Sequence, residues 1–153
     1  MAKDIGKRDG FQSIEQEVLL TILRTADSLT RIAAATLRPA GLSPTQYNVL
    51  RILRGAGPKG LACQEIGSRM ITRDPDLTRL FDRLEKRGFI LRQRETADRR
   101  IVRTSITEGG LLVLASLDQP IEQLHCDLLG HLGPERLSQL LALLQEARAK
   151  IDQ

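Results

Sequence analysis

Four arginines stand where a guanidinium could do chemistry. Arg79 and Arg83 are four residues apart, a spacing that puts them on one face of a helix. Arg99 and Arg100 are neighbours in "RETADRRIVRTSIT", Arg94 to Thr107, between two short β-branched runs. A guanidinium is a planar fork of N–H donors that matches a phosphate or the O6/N7 edge of guanine, and one good bidentate base contact is worth ~1–3 kcal/mol of discrimination. Bond-breaking chemistry has no comparable candidates. The sequence contains no nucleophile–base pair, phosphate-cradling loop or metal-ligand set, so it does not read as an enzyme. His125, Cys126 and His131 do not fall at ligand spacing on a helix face, and neither a metal nor a cofactor is expected.

The elements that must position these arginines come from a chain of 153 residues, enough for one domain with a sizeable core. Hydrophobic residues make up 41% and aromatic residues only 3%, so the core must be Leu, Ile, Val and Ala, which suits helices. There is no run of 18 apolar residues, so no membrane span is expected. The N-terminal "MAKDIGKRDG" is polar and does not read as a secretory signal. Cys63 and Cys126 lie far apart and mark no disulfide framework. They read as small buried residues in a reducing, cytoplasmic setting. Charge is unevenly placed. Between Arg73 and Arg103 there are ten Arg/Lys against six Asp/Glu, whereas residues 104–153 hold three against seven.

Apolar residues at Ile14, Val18, Ile22, Ala26, Leu29, Ala33 and Leu37 predict an amphipathic helix from Phe11 to Leu37, ending before Pro39. In "SPTQYNVLRILRGAG", Ser43, Pro44 and Gln46 form a helix start, and Gly55 to Gly57 stop it. "LACQEIGSRM" predicts a short helix with Leu61, Ile66 and Met70 inward. In "ITRDPDLTRLFDRLEKRG", Asp74 is the expected cap, Pro75 the first helical residue and Gly88 the left-handed stop. Leu77, Leu80, Phe81 and Leu84 form its buried stripe, with Asp76, Arg79, Arg83 and Lys86 opposite. "FILRQRE" and "RRIVRTSI" predict a hairpin whose loop exceeds two residues. Thr107 or Glu108 opens a long leucine-rich helix, kinked at Pro120, and a last helix carries Leu137, Leu140, Leu141, Leu144, Ala147 and Ile151. Leu111, Leu112, Leu114 and Leu117 occupy more than one face, for which a second subunit is the simplest cover.

Two short helices, the second with a basic face, followed at once by a charged hairpin make a winged helix-turn-helix. A B-form major groove accepts one helix, and narrow A·T-rich minor grooves attract arginine. The stretch "LTRLFDRLEKRGFILRQRETADRRIVRTSITEGG" resembles the signature of the MarR family of bacterial transcription regulators. The matching pieces are Thr-Arg-Leu on the recognition helix, "DRLEKRG" at its end, an Asp-x-Arg wing at Asp98 and Arg100, and the Ile106 to Gly109 exit into a long helix. The likeness extends over about residues 11–152. Ala62, where the family usually has Ser or Thr, and Gly67, where it favours Ala, depart from the pattern.

The resemblance implies a mainly α fold with a small β-hairpin wing: a winged helix-turn-helix over residues 43–107, with dimerisation helices over 11–38 and 108–152. It implies a homodimer on near-palindromic double-stranded DNA, most often a repressor, released by a small-molecule effector whose chemical class the sequence does not name. The first and fifth helices and Tyr47 are the expected pocket walls. The wing contact carries over to Arg100, with Arg99 beside it and Asp98 as brace, and the recognition-helix contacts to Asp76, Thr78, Arg79 and Arg83. Arg73 and Arg94 complete the candidate DNA-binding set. Competing readings of the same residues stay open here. Arg99 and Arg100 could form a solvated turn, and Arg79 and Arg83 could pair with Asp76 or Asp82. Asp76 could serve the helix dipole alone, or accept from cytosine, or orient Arg79. Arg94 could be structural. The fold could also be a protein-interaction module without specific DNA binding.

Overall fold

A computed structural model of the chain describes residues 10–153. Apart from Gly10, the polar N-terminal stretch lies outside the described residues. Among the described residues six α-helices and three strands follow in the order α1 (Ile14–Leu37), α2 (Pro44–Ala56), β1 (Leu61–Ala62), α3 (Cys63–Arg69), α4 (Leu77–Lys86), β2 (Ile90–Arg94), β3 (Val102–Ile106), α5 (Glu108–Leu129) and α6 (Gly133–Ile151). The chain forms two compact units, one ending at Pro44 and one spanning Thr45–Gln153. The fold is winged-helix, as the sequence predicts.

In the first unit, α1 starts three residues later than its apolar spacing implied, because Ser13 is the cap. Its Oγ accepts the Gln16 N–H at 3.2 Å, and the Gln16 side chain accepts the Gln12 N–H at 2.8 Å. This satisfies two donors near the helix start. The helix gives way at Leu37 to a 3₁₀ turn over Arg38–Ala40, where Pro39 cannot continue an α-helix. Leu37 is buried, whereas Ile14, Val18, Leu19, Ile22 and Leu23 are exposed.

In the second unit, Val49, Leu50 and Leu53 of α2, Ile66 of α3, Leu80, Phe81 and Leu84 of α4, Ile90 of β2, and Leu114, Leu117 and Ile121 of α5 are all buried. The sheet has the order β1-β3-β2, antiparallel throughout. Its third strand corrects the reading of "LACQEIGSRM" as helix from Leu61. Leu61 and Ala62 pair with Thr104 and Arg103, and the helix begins only at Cys63. A two-residue strand is too short to show an alternating pattern in sequence. Leu61 and Ile66 are buried as expected, while Met70 is half-buried. β3, the central strand, buries Thr104.

Thr107 fixes the start of α5. Its hydroxyl donates to the Gly88 carbonyl at 2.5 Å and accepts the Gly110 N–H at 3.1 Å, while its own N–H donates to the Phe89 carbonyl at 3.0 Å. α5 continues as one helix through Pro120, which has no N–H to donate to the Ser116 carbonyl. Arg54 of α2 grips Asp118 of α5 through both terminal nitrogens at 2.9–3.0 Å. Leu111, Leu112 and Leu129 of α5 and Leu140, Leu141, Leu143, Leu144 and Ile151 of α6 are exposed.

Candidate nucleic-acid interface

α4 is amphipathic by composition and placement. Leu80, Phe81 and Leu84 are buried and Leu77 is half-buried, so Thr78, Arg79, Arg83 and Lys86 are left in solvent. The helix begins two residues later than Asp74 and Pro75 predicted. Asp74 instead accepts the Asp76 N–H at 2.8 Å, an Asx turn that carries the chain past Pro75. Asp76 takes the cap: its backbone is non-helical and its carboxylate accepts the Arg79 N–H at 3.1 Å. Asp76 thus caps the first turn, three residues before Arg79. The helix stops as predicted at Gly88 (φ +75°), where the Phe89 N–H reaches the Leu84 carbonyl at 3.0 Å and the Gly88 N–H reaches Glu85 at 2.9 Å.

The acids of α4 are engaged by a residue that sequence reasoning did not single out. Arg92 of β2 donates to Asp82 at 2.6 Å and to both Glu85 oxygens at 3.1 and 3.2 Å, and its backbone N–H donates to Glu85 at 3.1 Å. These bonds hold the Glu85 carboxyl below the ordinary glutamate range and push the Arg92 guanidinium up. Asp82 thus pairs with Arg92, not with Arg79 or Arg83. Among the described residues no ion pair engages Arg79, Arg83 or Arg73. No local rule links residues seven positions apart across a helix end, which is why this clamp is invisible in sequence.

The wing is braced from inside. Asp98 accepts the Arg100 N–H at 3.0 Å, its Nε at 3.1 Å and its Nη2 at 3.2 Å. The hydrogen bond from the Arg100 guanidinium lowers the Asp98 carboxyl. Arg94 donates to the Arg99 carbonyl at 2.9 Å, so at least one of its donors supports the turn. The Glu95 N–H meets the Ile101 carbonyl at 2.9 Å. At the wing base Arg103 pairs with Glu95 and approaches Glu65 at 3.9 Å. The Arg99 and Arg100 side chains project outward, Arg100 being 91% exposed.

Eight of the nine candidate residues thus form two groups joined by β2. One is the Asp76 cap with Thr78, Arg79 and Arg83 of α4, and the other is Arg94, Asp98, Arg99 and Arg100 in the wing. Arg73 lies exposed in the connection before α4, which Asn48 of α2 anchors by accepting the Ile71 N–H at 2.8 Å. Ala62 gives α3 no side-chain cap, but Glu65 reaches back to the Ala62 N–H at 2.8 Å and supplies the other half of the capping box. Cys63 and Cys126 are exposed, contrary to the expectation of burial, because each falls on the outer face of its helix. Tyr47 of α2 is half-buried with Arg51 5.8 Å from its ring, and burial pushes its hydroxyl pKa up.

Residues 42–102 match the model of the MarR family. The chain is 34% identical over 145 residues to the uncharacterized HTH-type transcriptional regulator YkoM of Bacillus subtilis, covering 92% of each. It is similar to the crystal structure of a MarR transcription factor from Planctomyces limnophilus, with 40% identity, a TM-score of 0.69 and coverage of 88% of this chain and 98% of that one. The same fold occurs in a mutant E. coli MarR complexed with operator DNA, with 24% identity, a TM-score of 0.76 and coverage of 88% and 98%.

Proposed function

The chain belongs to the MarR family and is a DNA-binding transcription regulator, and on that premise we propose that it acts as a homodimeric repressor on a near-palindromic operator. α4 enters a major groove, with Arg79 and Arg83 toward bases or phosphates and Thr78, Arg73 and the Asp76 cap at its leading end. The wing presents Arg99 and Arg100 to the flanking minor groove, with Asp98 and Arg94 holding the turn. Residues 43–107 serve as the DNA-binding lobe, and residues 11–38 and 108–152 as dimerisation helices. The observation that carries this reading is the basic face of α4, whose neighbouring acids are bound to Arg92, followed directly by an outward-facing Arg99 and Arg100.

Two-fold symmetry places two copies of α4 about one turn of DNA, ~34 Å, apart. Repression follows from occlusion of a promoter. A small-molecule effector would release the operator by binding more tightly to a dimer whose recognition helices have a different spacing, since equal affinity for both forms shifts nothing. The exposed apolar rows on α1, α5 and α6 support a second copy as their cover.

The test is a gel shift of the protein with its own upstream region at two salt concentrations. A sequence-selective shift that weakens steeply between ~50 and ~200 mM salt is expected. No selective shift at the lower concentration would refute the reading.

A further inference from the structure

Asp82 stands three residues after Arg79 and four before Lys86, so it lies within the basic stripe of α4, opposite Leu80, Phe81 and Leu84. Its side chain is half exposed. A free carboxylate in that place repels the phosphates that the flanking cations attract. The sheet answers it with Arg92, which reaches Asp82 at 2.6 Å and takes Glu85 through two side-chain bonds and one main-chain bond. Arg92 is itself only 22% exposed, less than either acid, so the cation sits on the sheet side of the cluster.

We propose that Arg92 is a positioning residue for DNA binding: it draws the Asp82 and Glu85 carboxylates toward the sheet and offsets their charge, leaving Arg79, Arg83 and Lys86 as the charges that the DNA meets. This rests on α4 being the DNA-facing helix. It differs from two simpler roles for the same residue, a direct phosphate contact by Arg92 and a mechanical link between α4 and β2. Only charge offset makes Arg92 dispensable once the acids are gone.

The experiment compares wild type, Arg92→Gln, Asp82→Asn/Glu85→Gln and the triple variant, by fluorescence anisotropy on a labelled duplex of the protein's own upstream region at two salt concentrations. Thermal melts are run alongside. Arg92→Gln is expected to weaken binding by about tenfold, and the triple variant to recover to within about threefold of wild type with an unchanged salt slope. Asp82→Asn/Glu85→Gln is expected to bind at least as tightly as wild type and the triple variant to match it within about threefold, a comparison that decides the matter even if Arg92→Gln fails to fold. Equal weakening of the single and triple variants with a salt slope lower by about 0.9 would mean a phosphate contact and overturn the proposal. A loss that follows the melting temperature and is not recovered in the triple variant would overturn it as a mechanical link. Full affinity of Arg92→Gln would also overturn it. Absence of binding by the wild type is a separate result, which removes the DNA-binding reading and this proposal with it.

Discussion

Asp98 and Arg100 close a ring within the wing turn. The Asp98 Oδ1 accepts both the backbone N–H and the Nε of Arg100, at 3.0 and 3.1 Å, and Oδ2 accepts Nη2 at 3.2 Å. The carboxylate therefore fixes the direction of an arginine whose side chain is otherwise almost wholly in solvent. Charge is given up for orientation, an arrangement useful where a guanidinium must enter a narrow groove.

The ring has a pH signature. The Arg100 guanidinium holds the Asp98 carboxyl below its ordinary value of 3.8. A depressed carboxyl keeps its partner at neutral pH and releases it only as pH falls through the lowered midpoint. In an NMR titration the Asp98 carboxyl should titrate below the aspartate range and return toward it in Arg100→Ala. An unchanged midpoint in that variant would show that the ring does not persist in solution.

The two arginine groups should be separable by their effects on DNA binding. Arg99→Ala/Arg100→Ala should weaken binding to all sequences and reduce the salt slope by roughly 0.9 for each phosphate that is no longer neutralised. Arg79→Ala or Arg83→Ala should cost about 1–3 kcal/mol at the cognate sequence and relax selectivity at the base pair read. Anisotropy titrations on cognate and scrambled duplexes check both. If the wing variant matches wild type in slope and affinity, the wing is a solvated turn.

Much of this frame was legible because helices announce themselves locally. Leu80, Phe81 and Leu84 at helical spacing, closed by Gly88, mark α4, and Thr107 marks the start of α5. Where two local signals competed, the nearer one misled. Asp74 before Pro75 looked like a cap, but its carboxylate serves the Asp76 N–H, and Asp76 caps the helix. Long-range relations left no such trace. Arg92 with Asp82 and Glu85, Arg103 with Glu65, and β1 with β3 join residues whose partnership exists only in the fold. Cys63 and Cys126 are exposed: an average tendency to burial says nothing about which helix face a residue occupies.

Two glycines should fail for different reasons. At Gly88 the φ of +75° is strained for any side chain, yet an added Cβ meets nothing, so Gly88→Ala should cost about 1–2 kcal/mol. Gly110 has ordinary helical geometry, but its Cβ would run into the Phe89 carbonyl oxygen and the Ile106 side chain. Backbone cannot swing aside, so Gly110→Ala should cost about 3 kcal/mol, near the upper end for overpacking. Urea denaturation of both variants checks the order, and equal or reversed costs would mean that the start of α5 can move away from Phe89.

The dimer can be tested on α6, where Leu140, Leu141, Leu143 and Leu144 are all exposed. A contiguous apolar face of this kind in water is costly, and a second copy is the cover we propose. Leu141→Glu would then place a carboxylate in a desolvated interface without a cation assigned to it, a strongly unfavourable change, while in a monomer it would simply add a surface charge. The variant should shift from twice the chain mass to the chain mass in light scattering at micromolar concentration, with an unchanged helical circular dichroism spectrum. Operator affinity should fall much further than either wing or recognition-helix substitutions lower it, because the second half-site is then bound by a separate molecule and not by a tethered one. If Leu141→Glu keeps the dimer mass and full operator affinity, this face of α6 is not the interface, and the cover for its leucines must be sought elsewhere.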